Sequence, residues 1–374
     1  MYRQLEYLRK AATMTVGAQY KVDLPTSGLL SFLWLKLSGA CVSGATLTGE
    51  LWRLQDWITD IEIVANGSTI IKKAQFKHFD FLNWLYTGVS PLHSWRNYAT
   101  NTQFEYVPIF FGRHMWDLDY GLDLSKYDSV ELRVTNNSSA TYHSAMDITT
   151  LMGLIRENPA GGFAGEIRTE EWREWTTVAD EIKYLELPTE LPICGIYLRA
   201  LPDQSSDVAE DHFGNVMLDI DFRLGGGTKQ VFRGDLSTLA MLNHYERGSE
   251  LMASGHFDRT ADKGVDVSIG RLLGWAGISG AKDGAGSSTV PTIEADNTYH
   301  VLKAETREAD SPIHFLVRGY GYQCMGWLLD NHKLDPNLML DLRAQGDAIL
   351  NIQTKNAAAS ADGIAQVVLE RLYQ

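Results

Sequence analysis

The two halves of this 374-residue chain carry the same series of short motifs in the same order. Leu24-Pro-Thr26 recurs as Leu187-Pro-Thr189, and Leu33-Trp-Leu-Lys36 recurs as Ile196-Tyr-Leu-Arg199, both at an offset of 163 residues (24 to 187 and 33 to 196). The later matches are Ile61–Thr69 with Ile220–Thr228, Leu82-Asn83 with Leu242-Asn243, and Leu122-Asp-Leu124 with Leu340-Asp-Leu342. This ordered series predicts two copies of one fold, and two unrelated sandwiches in tandem are the alternative.

The repeated segments alternate apolar and polar residues with a period of two. Leu33, Leu35 and Leu37 fall on one face of their segment, and Val130–Val134 alternates in the same way. Such alternation indicates strands with one buried face. At the offset of the Leu122–Leu340 match, 218 residues, Val130, Leu132 and Val134 align with Ala348, Leu350 and Ile352. The apolar residues of the two copies therefore fall on the same face of the strand.

Turn and helix signals complete the prediction of an all-β class. Asn66-Gly67 and Gly225-Gly226 occupy the same place in the two copies, and both dipeptides favour tight hairpin turns. Short helices are predicted only over Phe79–Tyr86 and Leu236–Tyr245. Strands and helices do not alternate, so a parallel α/β fold is disfavoured and a sandwich or barrel is expected.

The offsets also predict where the copies begin and end. Glu157–Gly165 is rich in glycine and follows a plausible last strand, so residues 1–157 and 166–374 are expected to form the two domains. The second copy gains a long insertion at about 246–312. It contains the stretch 277–289, whose glycine- and serine-rich composition predicts a surface loop.

Composition excludes several classes of function. The formal net charge is −14, and no basic patch marks a sequence-specific nucleic-acid protein. Arg3, Arg9 and Lys10 make a modestly basic N-terminus that could touch a membrane or a genome, although an ordinary solvated terminus is favoured. The three cysteines are far apart and predict neither a disulfide framework nor a zinc site. The N-terminus lacks the apolar stretch of a signal peptide, so folding inside a cell is expected.

No residue pattern assigns catalytic, cofactor or metal chemistry. No two of the ten histidines lie two residues apart, which excludes the His-x-His motif of a bicupin. The remaining candidates are better explained without chemistry: a polar turn rather than a calcium site at Asp117–Asp123, a solvated face rather than acid–base pairs at Glu170, Glu171, Glu174, Asp180 and Glu181, and hairpin turns rather than glycosylation sites at Asn66 and Asn136. The sequence therefore predicts no enzyme and no cofactor.

The order of motifs in the first half resembles the first barrel of double jelly-roll major capsid proteins, the lineage of adenoviruses, tailless membrane-containing phages and nucleocytoplasmic large DNA viruses. The residues that carry this resemblance are Ile61-Glu-Ile with Asn66-Gly67, the short aromatic helix, Tyr106-Val-Pro-Ile-Phe-Phe111 and Tyr127-Asp-Ser-Val-Glu-Leu-Arg133. After Phe111 the chain departs from the Asn-Pro-Gly type turn of the giant-virus members, which leaves the sub-family open.

The resemblance implies two tandem eight-stranded jelly-roll barrels with a few short helices, and a homotrimer that tiles an icosahedral shell as a pseudo-hexagonal capsomer. Its implied partners are neighbouring trimers, penton or vertex proteins, minor capsid proteins and an underlying viral membrane at the N-terminus. The implied location is the virion, after assembly in the host cytoplasm. Two alternatives remain open at this stage: a glycan-binding or carbohydrate-active two-barrel protein, and a minor virion spike protein.

Overall fold

The computed structural model of the protein describes residues 1–41, 53–89, 93, 95–97, 102–138, 143–157, 163–178, 180–201, 216–247, 251–257, 265–267, 273–280, 292–294, 302–305, 313–320, 322–354 and 363–374. The strands of the first half are β1 (Tyr2–Met14), β2 (Ala18–Asp23), β3 (Leu29–Cys41), β4 (Ile58–Ala65), β5 (Thr69–Ala74), β6 (Trp95–Asn97), β7 (Thr102–Phe110), β8 (Leu122–Asp123), β9 (Val130–Asn136) and β10 (His143–Arg156).

The strands of the second half are β11 (Glu166–Thr176), β12 (Ile182–Glu186), β13 (Ile193–Leu201), β14 (Met217–Leu224), β15 (Lys229–Gly234), β16 (Leu251–Phe257), β17 (Val265–Val267), β18 (Leu273–Gly280), β19 (Thr292–Glu294), β20 (Leu302–Glu305), β21 (Ile313–Tyr320), β22 (Met325–Asp330), β23 (Ala348–Thr354) and β24 (Ile364–Tyr373). The helices are α1 (Phe76–Thr87), α2 (Leu236–Arg247) and α3 (Leu342–Gln345), with 3₁₀ turns at Leu54–Trp57, Leu124–Lys126, Tyr322–Cys324 and Pro336–Leu338.

The two halves build the same pair of sheets. In the first half the strand orders are β1-β10-β3-β7 and β2-β9-β4-β5. In the second half they are β11-β24-β13-β22 and β12-β23-β14-β15, so each strand has a counterpart at the same position. In the first half the two-residue strand β8 also pairs with one end of β3. Eight strands in two layers of four form a jelly roll. The predicted class, an all-β protein of two jelly rolls with few helices, is confirmed.

Bulges fall at matching places in the two copies, which fixes the alignment residue by residue. The pairing register skips Ser31 on β3 and Cys194 on β13. It also skips Leu8 on β1 and Trp172 on β11, and Ile71 on β5 and Val231 on β15. A bulge shifts the register by one residue, so shared bulges keep the same side chains facing inward.

The inward-facing residues predicted from the alternation form the two cores. In the first copy Leu33, Leu35, Leu37, Val130, Leu132 and Val134 are buried. In the second copy Ala348, Leu350 and Ile352 are buried in a separate cluster. The predicted hairpin turns are also present, because Asn66, Gly67, Gly225 and Gly226 all have φ between 50° and 76°. Both predicted helices are confirmed, each slightly longer than the sequence indicated.

The prediction of a loop over 277–289 is wrong for its first part. Residues 277–280 belong to β18, which pairs with β21 in a sheet of order β18-β21-β16-β6. A second sheet, β17-β20-β19, lies in the same insertion. Ladder hydrogen bonds join backbone groups, so glycine-rich segments can pair despite a weak side-chain signal. Residues 281–291 lie outside the described residues.

Candidate functional site at the internal interface

The two jelly rolls are joined by a short parallel pairing of β5 with β11. Lys72 faces Thr169 and Lys73 faces Glu170, and this pairing merges two four-stranded sheets into one sheet of eight strands. We call the surrounding contacts the internal interface: β5 and α1 from the first half, with β11, β13, β22, β24 and the Tyr322–Cys324 turn from the second. It is the part of the described structure in which buried polar side chains of both halves meet.

Four polar side chains are buried beside the strand pairing. Lys72 Nζ donates to Thr169 Oγ1 at 2.7 Å, and the Thr169 hydroxyl donates to a Glu370 carboxyl oxygen at 2.9 Å. The Tyr197 hydroxyl donates to the other Glu370 oxygen at 3.1 Å. Burial raises the pKa of Glu370 and lowers the pKa of Lys72, and the attraction between them opposes both changes. The chain of hydrogen bonds compensates the burial of these groups.

Helix α1 carries aromatic side chains of the first half onto the second. The Phe81 ring centroid lies 6.1 Å from that of Tyr197 and 6.3 Å from that of Trp327, and Trp84 lies 6.1 Å from Tyr322. Phe81 is fully buried. Gln75 begins the helix through a capping box with His78, and Gly88 ends it in the left-handed conformation. The helix limits therefore place Phe81 on the interface.

Asp80 on α1 is the centre of a second buried network. Its carboxylate accepts hydrogen bonds from the Tyr322 hydroxyl, from Gln323 Nε2 at 3.0 Å and from His93 Nε2 at 3.2 Å. Burial alone would lower the pKa of His93, but the Asp80 carboxylate outweighs it and raises that pKa. Burial and Asp80 also raise the pKa of Tyr322, so its hydroxyl remains a donor. One carboxylate thus binds residues of both halves.

The backbone of the Tyr322–Cys324 turn is adapted to this contact. Gln323 has φ 56° and Cys324 has φ 60°. These are left-handed values that residues other than glycine rarely adopt. The Gln323 carbonyl accepts a hydrogen bond from Arg199 Nε at 2.9 Å while its side chain reaches Asp80. The contacts at both ends of Gln323 hold this uncommon conformation.

A third group of polar side chains contains Glu171 and His78. His78 Nε2 lies 3.0 Å from Gln366 Oε1, and His78 Nδ1 lies 3.3 Å from Glu171 Oε2. Burial and the nearby Arg199 guanidinium lower the pKa of His78 to about 3, so the ring is neutral. Burial and the neighbouring Glu174 raise the pKa of Glu171 to about 8, so this carboxyl is mostly protonated at neutral pH.

Replacing Glu171 with glutamine is expected to flatten the pH dependence of the unfolding free energy. The folded-state pKa lies above the ordinary value, so the stability linked to the protonated carboxyl is complete below about pH 4.5 and is lost as pH rises through about 8. Between about pH 5 and about pH 9, the wild type should lose on the order of 4 kcal/mol relative to Glu171→Gln. Urea unfolding at both pH values measures this difference, and the exposed Glu186→Gln serves as the control. Equal pH dependence in both variants would contradict the assignment.

The Asp117–Asp123 carboxylates do not converge on one point. Asp117 and Asp119 both bind Arg113, and Asp123 accepts a hydrogen bond from the Ser125 N–H at 3.0 Å. Burial would raise the pKa of Asp117, but hydrogen bonds from the Arg113 side chain and from backbone N–H groups outweigh it and lower that pKa. These contacts are those of a polar turn. Within the described ranges, no group of three or more His, Cys, Asp or Glu side chains could hold a metal ion.

The prediction that Glu170, Glu171, Glu174, Asp180 and Glu181 form a solvated face is wrong for part of this set. Glu171 is largely buried and Glu170 pairs with Arg371, whereas Glu174 is exposed, as predicted, and accepts a hydrogen bond from Gln75 Nε2 at 3.2 Å. Asp180 is also exposed, and Glu181 accepts a hydrogen bond from Lys183 Nζ at 2.6 Å. The sequence gives no local sign of this burial because the covering residues come from distant parts of the chain.

The other sequence candidates also have structural roles. Asn66 lies in the β4–β5 turn and accepts hydrogen bonds from the backbone of Asp128 and Ser129. Asn136 is the buried last residue of β9 rather than part of a hairpin turn, and its amide donates to the Met14 carbonyl. The basic N-terminal residues Arg3, Arg9 and Lys10 lie within β1. Among the described residues, no helix combines the length and apolar character needed to cross a bilayer.

Comparison with known proteins gives matches at the level of structure only. No protein-family model matches the chain, and no curated protein matches its sequence. The MCP of STIV, Sulfolobus turreted icosahedral virus, superimposes with a TM-score of 0.55 at 9% identity, covering 99% of this chain and 96% of that one. The chain has the double jelly-roll fold. The contacts described above are therefore the interface between the two barrels of a double jelly roll.

Two further solved structures share this double jelly roll over nearly their full length. The major capsid protein P2 of bacteriophage PM2 has a TM-score of 0.50 at 9% identity, covering 100% of this chain and 98% of that one. A chain of the PBCV-1 virus capsid has a TM-score of 0.53 at 10% identity, with coverages of 99% and 94%. Identities this low establish the double jelly roll and leave function to be argued.

Proposed function

We propose that this protein is a structural major capsid protein whose homotrimers form pseudo-hexagonal capsomers of an icosahedral virus shell. The observation that carries the proposal is the duplicated jelly roll, which matches two solved capsid proteins over 96% and 98% of their own length. Residues 1–157 and 166–374 are proposed as the two barrels, with the insertion at about 246–312. Three such chains present six similar barrels, which gives a trimer a nearly hexagonal outline.

The internal interface supports a structural rather than an enzymatic role. Lys72 and Asp80 of the first barrel are buried and bind Thr169 and Gln323 of the second, which suits them to fixing one barrel on the other. A glycan-binding protein of this kind would need an open cleft between its barrels. Tyr197 and Tyr322 are instead fully buried there, so the carbohydrate alternative is not favoured.

Further partners follow from the proposed role. Neighbouring trimers, penton or vertex proteins and minor capsid proteins are proposed as partners, with the virion as the final location after assembly in the host cytoplasm. An underlying membrane would meet the basic side chains of β1. The net charge of −14 disfavours sequence-specific nucleic-acid binding.

The purified protein is expected to be a stable trimer of about 125 kDa, three times the 41.8 kDa chain mass. Multi-angle light scattering after size exclusion measures this mass, and negative-stain electron microscopy should show hexagonal particles. A minor spike protein would differ in abundance, because the shell protein should be the strongest band of purified virions. A protein that stays monomeric at micromolar concentration would refute the proposal.

A further inference from the structure

The chain leaves unpaired the two strand edges that correspond to its own internal pairing. Strand β5 of the first barrel pairs with β11 of the second. The counterpart of β5 is β15, and the counterpart of β11 is β1. Strands β15 and β1 each end their sheet, and neither pairs with another strand on its outer side among the described residues. An unpaired edge is a ready template for another chain.

We propose that β15 of one copy pairs in parallel with β1 of the next copy, in the register that β5 and β11 use within the chain. This inference rests on the proposed function and specifies the contact that builds the trimer. Because β15 and β1 are different surfaces of one chain, the contact is heterologous and closes into a ring by rotation. The partner is a second copy of this chain.

The shared bulges fix which residues would face each other. Alignment of Leu8 with Trp172 places Leu5 at the position of Thr169 and Glu6 at that of Glu170. Alignment of Ile71 with Val231 places Phe232 at the position of Lys72 and Arg233 at that of Lys73. In the new contact Leu5 would therefore face Phe232, and Glu6 would face Arg233. The first pair is apolar and the second has opposite charges, so the edges are complementary.

The buried polar cluster of the internal interface has an apolar counterpart at these edges. Lys72, Thr169, Tyr197 and Glu370 correspond to Phe232, Leu5, Trp34 and Gly153. Lys72 and Thr169 are buried within one chain, whereas Leu5 is 59% exposed and Phe232 is partly exposed. A contact between separate copies has to desolvate its own surface, and apolar side chains do so at lower cost than a lysine and a glutamate.

Helix α2 presents the same kind of uncovered face. Helix α1 follows β5, α2 follows the corresponding strand β15, and each helix contains 12 residues. Phe81, Leu82 and Leu85 therefore correspond to Met241, Leu242 and Tyr245. The three residues of α1 are buried, in part against the second barrel. In α2 the exposures are 39%, 48% and 77%. Once β15 is docked, this face would lie over Trp34 of the next copy, as α1 lies over Tyr197.

Cysteines introduced at Leu5 and Phe232 test the strand register. Under mild oxidation the double variant L5C/F232C is expected to lose its one-chain band on a non-reducing denaturing gel and to gain a three-chain band. The L5C/F232C pair is made in a Cys41→Ser background. That background and each single variant should keep the one-chain band, since the remaining Cys194 and Cys324 are buried. A trimer by light scattering without cross-linking would overturn this register while leaving the proposed function intact. A monomeric wild type would overturn both.

Truncation of Tyr245 tests the helix contact independently. Tyr245 is exposed in the single chain and would become buried against the next copy in the proposed contact. Tyr245→Ala is therefore expected to raise the protein concentration at which half of the chains are assembled about tenfold. Tyr184→Ala is the matched control, since Tyr184 is 57% exposed on β12, at the sheet edge opposite β15. Sedimentation over a dilution series measures both. Equal assembly of the two variants would place α2 outside the interface.

Discussion

Replacing Asp80 with alanine is expected to lower the free energy of unfolding by about 3–5 kcal/mol. The Asp80 carboxylate is fully buried and accepts hydrogen bonds from Tyr322, Gln323 and His93. Without it, the buried Tyr322 hydroxyl, the Gln323 amide and a histidine whose charged form Asp80 favours would each lose one hydrogen-bond acceptor, and the amide would keep only Gln55 Oε1. Urea unfolding followed by tryptophan fluorescence, at one fixed protein concentration, measures the loss.

Two further variants separate this network from a general effect of removing a charge. Asp23→Ala removes an exposed aspartate from β2 and should change stability by less than about 0.5 kcal/mol. Adding Tyr322→Phe to Asp80→Ala removes one of the stranded donors, so the double variant should recover about 1 kcal/mol. The network interpretation fails when Asp80→Ala costs no more than Asp23→Ala.

Replacing Phe81 with alanine is expected to cost about 3–5 kcal/mol, because the ring is fully buried and a cavity would remain between the barrels. The lost contacts with Tyr197 and Trp327 join α1 to the second barrel. Hydrogen exchange should therefore accelerate on both sides of the internal interface, in α1 and in β13 and β22. Unfolding and exchange measured on one sample test the two parts together.

Met241→Ala is the matched control for Phe81→Ala, since the two residues occupy the same position in α2 and α1. Met241 is 39% exposed in the single chain, so its truncation should cost less than about 1 kcal/mol at a concentration where the protein is monomeric. A similar cost for both variants would show that the two helices are packed alike within one chain.

The parts of the fold that were predictable are those with a local or repeated signal. Alternation at Leu33–Leu37 and Val130–Val134 reports a half-buried strand directly, because side chains on a strand point alternately to its two faces. The motif repeat aligned Trp34 with Tyr197 and Lys36 with Arg199, and the shared bulge at Ser31 and Cys194 gives the same alignment. The order of the sequence motifs was therefore enough to identify β3 and β13 as corresponding strands of the two halves.

The internal interface was not predictable because its partners are far apart in the chain. Lys72 looks like an ordinary strand lysine, and only folding places Thr169 beside it. The burial of Glu171 was not predictable for the same reason, since the residues that bury it are distant in sequence. Strands in the insertion were missed for a different reason: β18 contains glycines whose backbone pairs with β21 without a side-chain pattern that would reveal it.

The parallel pairing of β5 with β11 has a mechanical consequence. A continuous hydrogen-bonded ladder runs from β2 at one edge of the eight-stranded sheet to β22 at the other, without interruption by a loop. Force applied to either barrel is therefore carried by backbone hydrogen bonds as well as by side-chain contacts. Each chain should resist bending between its two barrels. When the proposed shell is indented by a probe tip, we expect the contacts between neighbouring trimers to break before the contact between the two barrels of one chain.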